Sequence, residues 1–322
     1  MTSSSMEAME REAERHLRWN FFAATTEGTL YYAGVLGFAS ITTVIPLYLR
    51  HLTPSPTLIA LVVAIPDIGW FLPQLFTAPW VERLPRKLPF VKWMSLGTER
   101  AGFLFMAVVA FLLSDRSPAA ALVLFPLALG LHAFGLGTLG TAWQDVMAKV
   151  FPPRLRGRFF GVLGFLGTAA ASPAALAAGL ILGALPYPTN FALCFLINFA
   201  LNIISWGFLT AVREPAGPVP PPAAHTEPYL RRLSRILRQD HNYRRFMLSR
   251  ILITLGEMAS GFVALYAATR FRLSDQVAGQ FTAAYVIGRL AATLLLGWLS
   301  DRRGAKVTLE LSVLIGALAM AV

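Results

Sequence analysis

Charge is what this sequence has least of: of 322 residues, 14% are Asp, Glu, Lys or Arg, against 56% hydrophobic. A soluble globular domain carries about a quarter charged residues, so a water-facing surface over most of this chain is excluded and the bilayer is its expected solvent. Cysteine is scarcer still. The lone Cys194 excludes an intrachain disulfide and leaves the redox compartment undetermined. Stretch 1–20 has no apolar run and holds four glutamates, which excludes a cleaved secretory signal. The first span must itself direct insertion. There is no His-Glu-x-x-His pattern, and no Cys or acid pair stands at metal or nucleophile spacing. No catalytic residue, metal site or cofactor is therefore expected.

What the chain has instead is long apolar runs. Eight charge-poor stretches, 28–49, 57–81, 93–114, 117–144, 159–184, 191–212, 246–269 and 276–300, are each long enough to cross a hydrocarbon core of roughly 30 Å as a helix. A ninth, 307–322, ends with the chain. Its last residues are apolar, so the carbonyls of a final helical turn would face hydrocarbon, and the sequence is expected to be incomplete at its carboxy-terminus.

Basic residues are sorted by side. Arg11, Arg15 and Arg18 precede the first span; Arg83, Arg86, Lys87 and Lys92 fill the second loop; Lys149, Arg154, Arg156 and Arg158 fill the fourth. More follow in the long central loop and after the eighth span, while the alternate loops hold only Arg50, Arg116, Arg270 and Arg272. By the positive-inside rule the amino-terminus is cytoplasmic. A net charge of +11 would suggest nucleic acid in a soluble domain, but here it sits in short loops facing anionic lipid headgroups. Membrane lipids, not nucleic acid, are the expected partners.

The one long polar break divides the chain into 1–212, a linker 213–242, and 243–322. The first part of the linker, 214–228, has six prolines and should be extended. Its second part places Leu230, Leu233 and Leu237 on one helical face ringed by Arg231, Arg232, Arg235 and Arg238, which suits either a helix on the inner leaflet or a solvated connector. The two sides resemble each other. Ala78, Glu82, Arg83, Pro85, Arg86 and Lys87 follow the second span; Gly297, Asp301, Arg302, Gly304 and Lys306 follow the eighth, at an offset of 219 residues. An internal repeat in which spans two and eight correspond implies two six-helix halves.

This paired signature resembles that of the major facilitator superfamily, whose members carry Gly-x-x-x-Asp-Arg-x-Gly-Arg-Lys between spans two and three and often a weaker copy between eight and nine. Loop 152–158, Pro-Pro-Arg-Leu-Arg-Gly-Arg, is similar to the basic loop of that family between spans four and five. The chain departs from the pattern at Ala78, Pro85, Glu82 and Ala305. The resemblance implies an all-α polytopic membrane protein, a helical bundle of two pseudo-symmetric halves with the second truncated after the ninth span. It also implies a cavity lined by spans one, four, seven and ten.

Ionisable groups in hydrocarbon cost several kcal/mol and mark pathways. Asp67 is central in the second span, with Trp70 and Gln74 at i+3 and i+7. Pro66 and Gly69 weaken the helix around it, so it reads as a protonatable acid or as a neutral acid bonded to a carbonyl. Its replacement by Asn is expected to abolish proton-coupled accumulation while leaving exchange. Glu257, with Thr254 and Gly261, and Arg289, with Tyr285 and Thr293, each lie 11 residues from the inner end of their spans, about 16 Å deep. They are expected to pair, either permanently or in a cycle in which the pair opens and closes or Arg289 exchanges Glu257 for an anionic substrate. Glu27 sits at the inner mouth of the first span, and Tyr31, Gly34, Phe38 and Thr42 continue its face; it is a pathway residue or an interfacial carboxylate. Glu99 and Arg100 read as structural, because the resemblance puts the third span at the periphery. His132 reads as a bonded interior histidine.

Glu82, Arg83, Arg86, Asp145, Asp301 and Arg302 form a candidate cytoplasmic gate, since acid–base pairs on that surface must break when it opens. An ordinary positive-inside loop is the alternative. Asp145 and Lys149, four apart, form a helix-end pair. In the fifth span Gly161, Gly164, Gly167, Gly179 and Gly183 offer close backbone approach, and Ser172-Pro173 allows a kink. This faintly resembles the Gly-Pro motif of proton-coupled antiporters and tilts the direction toward export. The expected function is secondary transport of a small solute by alternating access, coupled to protons, by a monomer in a bacterial inner membrane. A non-transporting receptor or scaffold on the same fold is the alternative.

Overall fold

The computed structural model describes residues 11–215, 229–258, 266–267, 270–271, 277–303 and 305–321, and every regular element among them is helical. Five helices are long and apolar enough to cross a bilayer: Pro56–Val81, Leu88–Leu113, Pro118–Val150, Pro153–Ala184 and Thr189–Ala211. They are spans two to six of the expected order. The fourth runs six residues past its apolar stretch, because intrahelical hydrogen bonding continues into the headgroup region after the hydropathy signal ends.

The first span departs from the expected uninterrupted helix. It is α-helical over Leu17–Tyr32, widens to a π-helix over Ala33–Phe38, and resumes only at Val44–Leu52. The physical reason lies in two glycines. A Cβ on Gly34 would stand 2.6 Å from both Asn198 Oδ1 and Asn202 Nδ2, and one on Gly37 would stand 2.5 Å from the Ala174 methyl. Close contact on two sides with residues of low helix propensity favours the wider winding. Span two is segmented too, as Pro56–Val63, Ile65–Phe71 and Gln74–Val81, since Pro66 and Pro73 remove donors from its ladder near the two breaks. Ser55 caps its start by accepting the Leu58 amide at 3.4 Å, with Pro56 at the first helical position.

Packing within this six-span unit is layered. At the end away from the basic loops lies an aromatic core: the Tyr48 ring is 4.6 Å from Phe125, 5.5 Å from Phe191 and 5.4 Å from Phe195, and its hydroxyl bonds Ser114 Oγ at 2.8 Å. At the basic end a second core gathers Phe21, Phe151 and Phe159, the last two stacked at 4.2 Å, with Val146 and Met147. Hydrocarbon offers no hydrophobic drive to pair helices, so close dispersion contacts and polar bonds hold these layers. Glycines make the contacts possible at three crossings: Gly137 lies against the Gly69 carbonyl, Gly102 against His132, and Gly167 under the Tyr32 ring. Gly161 and Gly164, expected to do the same, are not close-approach points: a Cβ on either would meet no atom within 4 Å.

Beyond the linker come helices Tyr229–Gln239, His241–Met258, Val277–Arg303 and Ala305–Ala321. Arg231, Arg235 and Arg238 of the first are exposed. Val277–Arg303, span eight, lies along span five. It also reaches the outer part of span one, where the hydroxyls of Thr43 and buried Thr282 hydrogen-bond.

Candidate functional site: a charged layer between two apolar cores

Between the aromatic core and the basic-end core lies a layer of buried polar side chains. Span one supplies Glu27, span three Ser95, Glu99 and Arg100, span four His132, and span six Asn198, Asn202 and Ser205. Glu27 is 6% exposed, Glu99 1% and Arg100 2%. Charges so buried must satisfy one another or lose several kcal/mol. Arg100 does most of this: its Nη1 donates to Glu99 Oε2 and Ser95 Oγ, its Nη2 lies 3.8 Å from Glu27 Oε1, and its Nε donates to the Asn202 carbonyl at 3.4 Å. Ser95 Oγ in turn bonds Glu99 Oε2 at 3.0 Å, and Ser205 Oγ donates to the Glu27 carbonyl at 2.9 Å. The guanidinium also lies 5.8 Å from the Tyr31 ring centroid, within cation–π range. Glu99 and Arg100 are brought to this site by a π-helical turn over Ser95–Arg100, where span three leaves regular winding.

A cavity of about 220 Å³ opens onto this layer. Glu27, Tyr31, Tyr32, Ser95, Glu99 and Arg100 form its polar wall; Trp70, Trp143, Leu136, Leu139, Gly140, Leu163 and Leu209 form the rest. All six spans therefore contribute.

Of the residues anticipated from sequence, Glu27 and Tyr31 line this cavity. Gln74 stands at its edge, donating to the Trp70 carbonyl at 2.6 Å, and a Cβ on Gly140 would lie 3.5 Å from its Nε2. Asp67 is placed elsewhere, on an exposed face of span two, while Gly69 two residues on packs against Ala133. Arg289 and Tyr285 occupy exposed positions on span eight, and Arg289 lies within electrostatic reach of Tyr32. The side chains of Glu257 and Asp301 lie outside the described residues, so the Glu257–Arg289 pairing does too. Glu99 and Arg100, expected as peripheral structure, instead meet Glu27 in the interior. Two sequence signals pointed there: Ser95 and Glu99 at i and i+4, and Asn198, Asn202 and Ser205 at helical spacing in an otherwise apolar span.

At the basic end Glu82, Arg83, Arg86 and Arg302 are exposed. Asp145 pairs with Lys87 of the second loop at 3.3 Å. Lys149 reaches past it to Glu214 Oε1 at 2.9 Å and to the Pro85 carbonyl at 3.0 Å. The Glu214 carboxylate, its side chain only 2% exposed, accepts from the Lys87 amide at 2.9 and 3.0 Å and from the Leu88 amide at 2.8 Å. It thus caps the positive end of span three. Sequence reading overlooked Glu214 because it sits among linker prolines. Asn20 and Arg213 complete this surface with reciprocal bonds of 3.0 and 2.9 Å, tying the ends of spans one and six.

A polytopic helical bundle enclosing charged residues in a cavity is the architecture of a membrane transport protein. The sequence profile of the Major Facilitator Superfamily matches residues 29–322. The chain belongs to that superfamily, and is a multi-pass membrane transporter. Among solved structures, it is similar to the crystal structure of a D-xylose-proton symporter, with a TM-score of 0.57 and 17% identity over 88% of this chain and 70% of that one. It is likewise similar to a bacterial homologue of the iron transporter ferroportin in an outward-facing state with soaked iron, with a TM-score of 0.56 and 17% identity over 89% and 70% of the two chains. At such identity these likenesses show the fold. Among curated proteins no significant match exists.

Proposed function

We propose that this chain is a proton-coupled secondary transporter that moves a small solute by alternating access. One half, 1–212, rocks against a second that begins at 243, with 213–242 as the connecting linker. The observation that carries this reading is the contact of Glu27, Glu99 and Arg100 around a cavity inside a six-span unit. A scaffold gains nothing from keeping three ionisable groups dehydrated, whereas a transporter uses such groups to bind a proton and a solute in turn. Asp67 and Gln74 of the first half, with Glu257, Tyr285 and Arg289 of the second, belong to the same pathway. Pairs such as Lys87–Asp145, in which the carboxylate side is open to water, act as the gate at the basic end together with Glu82, Arg83, Arg86, Asp301 and Arg302, because a pair that water reaches can break at modest cost.

The sorting of Lys and Arg supports a cytoplasmic basic end and amino-terminus in a bacterial inner membrane. The protein works as a monomer, and the Ser172-Pro173 element of span five favours export. The test is flux in proteoliposomes holding the purified protein under an imposed pH gradient, with a panel of small solutes. Solute movement should follow the gradient and vanish in Glu27→Gln, while that variant stays folded. Undiminished gradient-driven movement in Glu27→Gln would remove this site from the mechanism.

A further inference from the structure

We propose that helix Tyr229–Gln239 of the linker docks on an anionic bilayer surface, its leucine side sunk into the boundary of headgroups and acyl chains and its arginines on lipid phosphates. The inference stands apart from the transport reading above. At about 100° per residue the two kinds of side chain separate completely around this helix. Ile236, Tyr229, Leu233, Leu237 and Leu230 fall within one arc of about 120°, and Arg238, Arg231, Arg235 and Arg232 within another of about 120°. The helix contains no acidic residue. Arg231, Arg235, Arg238 and Gln239 are exposed, while Leu237 is half-buried. A connector bathed in water gains nothing from such a division, whereas a helix lying between an apolar and a charged medium requires it.

The joint with span seven sets its level. Asp240 alone separates it from helix His241–Met258. The Asp240 carboxylate accepts the Tyr243 amide at 2.8 Å and its carbonyl accepts the Arg244 amide at 3.1 Å, so a new helix starts at this residue. The apolar run of span seven begins at Phe246, which places the joint about 8 Å outside the hydrocarbon, close to the thickness of one headgroup region. Connectivity therefore holds the helix at the membrane boundary. Exposed Arg244 and Arg245 stand across the joint at the same level, and Arg244 Nη2 lies 2.8 Å from His241 Nδ1. Six arginines stand between 231 and 245 with one acid, Asp240, and that acid is engaged as a cap. Among the described residues the helix packs chiefly against the start of span seven. A basic arc, an apolar arc and a position at headgroup depth together match a leaflet of acidic phospholipid.

The test places a fluorescent label on each arc of the full chain. In a Cys194→Ser background, Leu233→Cys or Gln239→Cys is labelled with bimane and reconstituted in phosphatidylcholine nanodiscs bearing a nitroxide near the headgroup end of the acyl chain, with or without phosphatidylglycerol. With phosphatidylglycerol present, the label at position 233 should be quenched several times more strongly than the label at position 239. Each of Arg231→Gln, Arg235→Gln and Arg238→Gln should lower the ratio of docked to free helix by about fivefold, and high salt should release it. Leu230→Cys, on the same arc, gives the same reading should Leu233→Cys not fold. Equal quenching at the two positions, or quenching unchanged when phosphatidylglycerol is left out, overturns the proposal. So does a label at position 233 that is shielded from aqueous iodide yet untouched by the lipid nitroxide, because a protein surface, of this chain or of a second copy, then covers the apolar arc. No gradient or solute enters these readings, so their failure leaves proton-coupled transport standing, and absence of gradient-driven flux leaves the docking standing.

Discussion

Two sets of charged residues in the membrane-spanning helices of this protein live in opposite surroundings. Glu27, Glu99 and Arg100 are sealed between two apolar cores and touch one another. Asp67 and Arg289 lie on exposed helix faces. The difference shows that an ionisable residue within a span is dehydrated only where its face of the helix turns into the bundle. A group facing its own bundle has its partners fixed by the fold, and a group on the outer face does not.

Removing the partner that holds the buried set together should have the largest effect. Arg100→Leu leaves two carboxylates in a dry layer and is expected to destabilise the protein by about 3–5 kcal/mol, read as a large fall in the thermal unfolding midpoint in detergent. Asp67→Asn, on the exposed face, should leave that midpoint nearly unchanged; an equal loss in both variants would erase the contrast between the sets. Next comes the helix crossing that carries Trp70 to the cavity. Gly137→Ala drives a methyl into the Gly69 carbonyl, and overpacking of this kind costs about 1–3 kcal/mol. Gly161→Ala, with no atom nearby, should be silent or slightly stabilising in the same assay. A smaller effect is expected at the basic end. Glu214→Gln removes the charge that meets Lys149 and the amides of Lys87 and Leu88, a loss of about 1–3 kcal/mol. That loss should shrink at high salt if screening reaches the site; a salt-independent loss would show the carboxylate is as sheltered as its 2% exposure indicates.

Much of this was legible in the sequence. The apolar runs located spans two to six within a few residues, because the hydrocarbon thickness imposes a length that hydropathy reports directly. Glu27 and Tyr31 were found because a carboxylate beside aromatic residues at helical spacing is rare in such a run. Glu99 and Arg100 were read as peripheral structure: adjacent residues on a helix point about 100° apart, yet both line the same cavity from the π-helical segment Ser95–Arg100. Nothing in hydropathy encodes that winding. The role of Glu214 was hidden for a related reason. Its bonding partners come from loop and helix-end groups far away in the chain, and a backbone N–H carries no signature in the sequence.

The wide turn at Ala33–Phe38 decides which residues of the first span reach the cavity. An α-helical reading strings Glu27, Tyr31, Gly34, Phe38 and Thr42 into a single stripe from one side of the membrane to the other. Each π turn takes in an extra residue, so the stripe is dealt round the axis: Tyr31 stays on the cavity, Gly34 turns to the asparagines of span six, and Phe38 is spent on the aromatic core. The first helix thus meets the cavity only from Glu27 to Tyr32 and gives its next turns to packing.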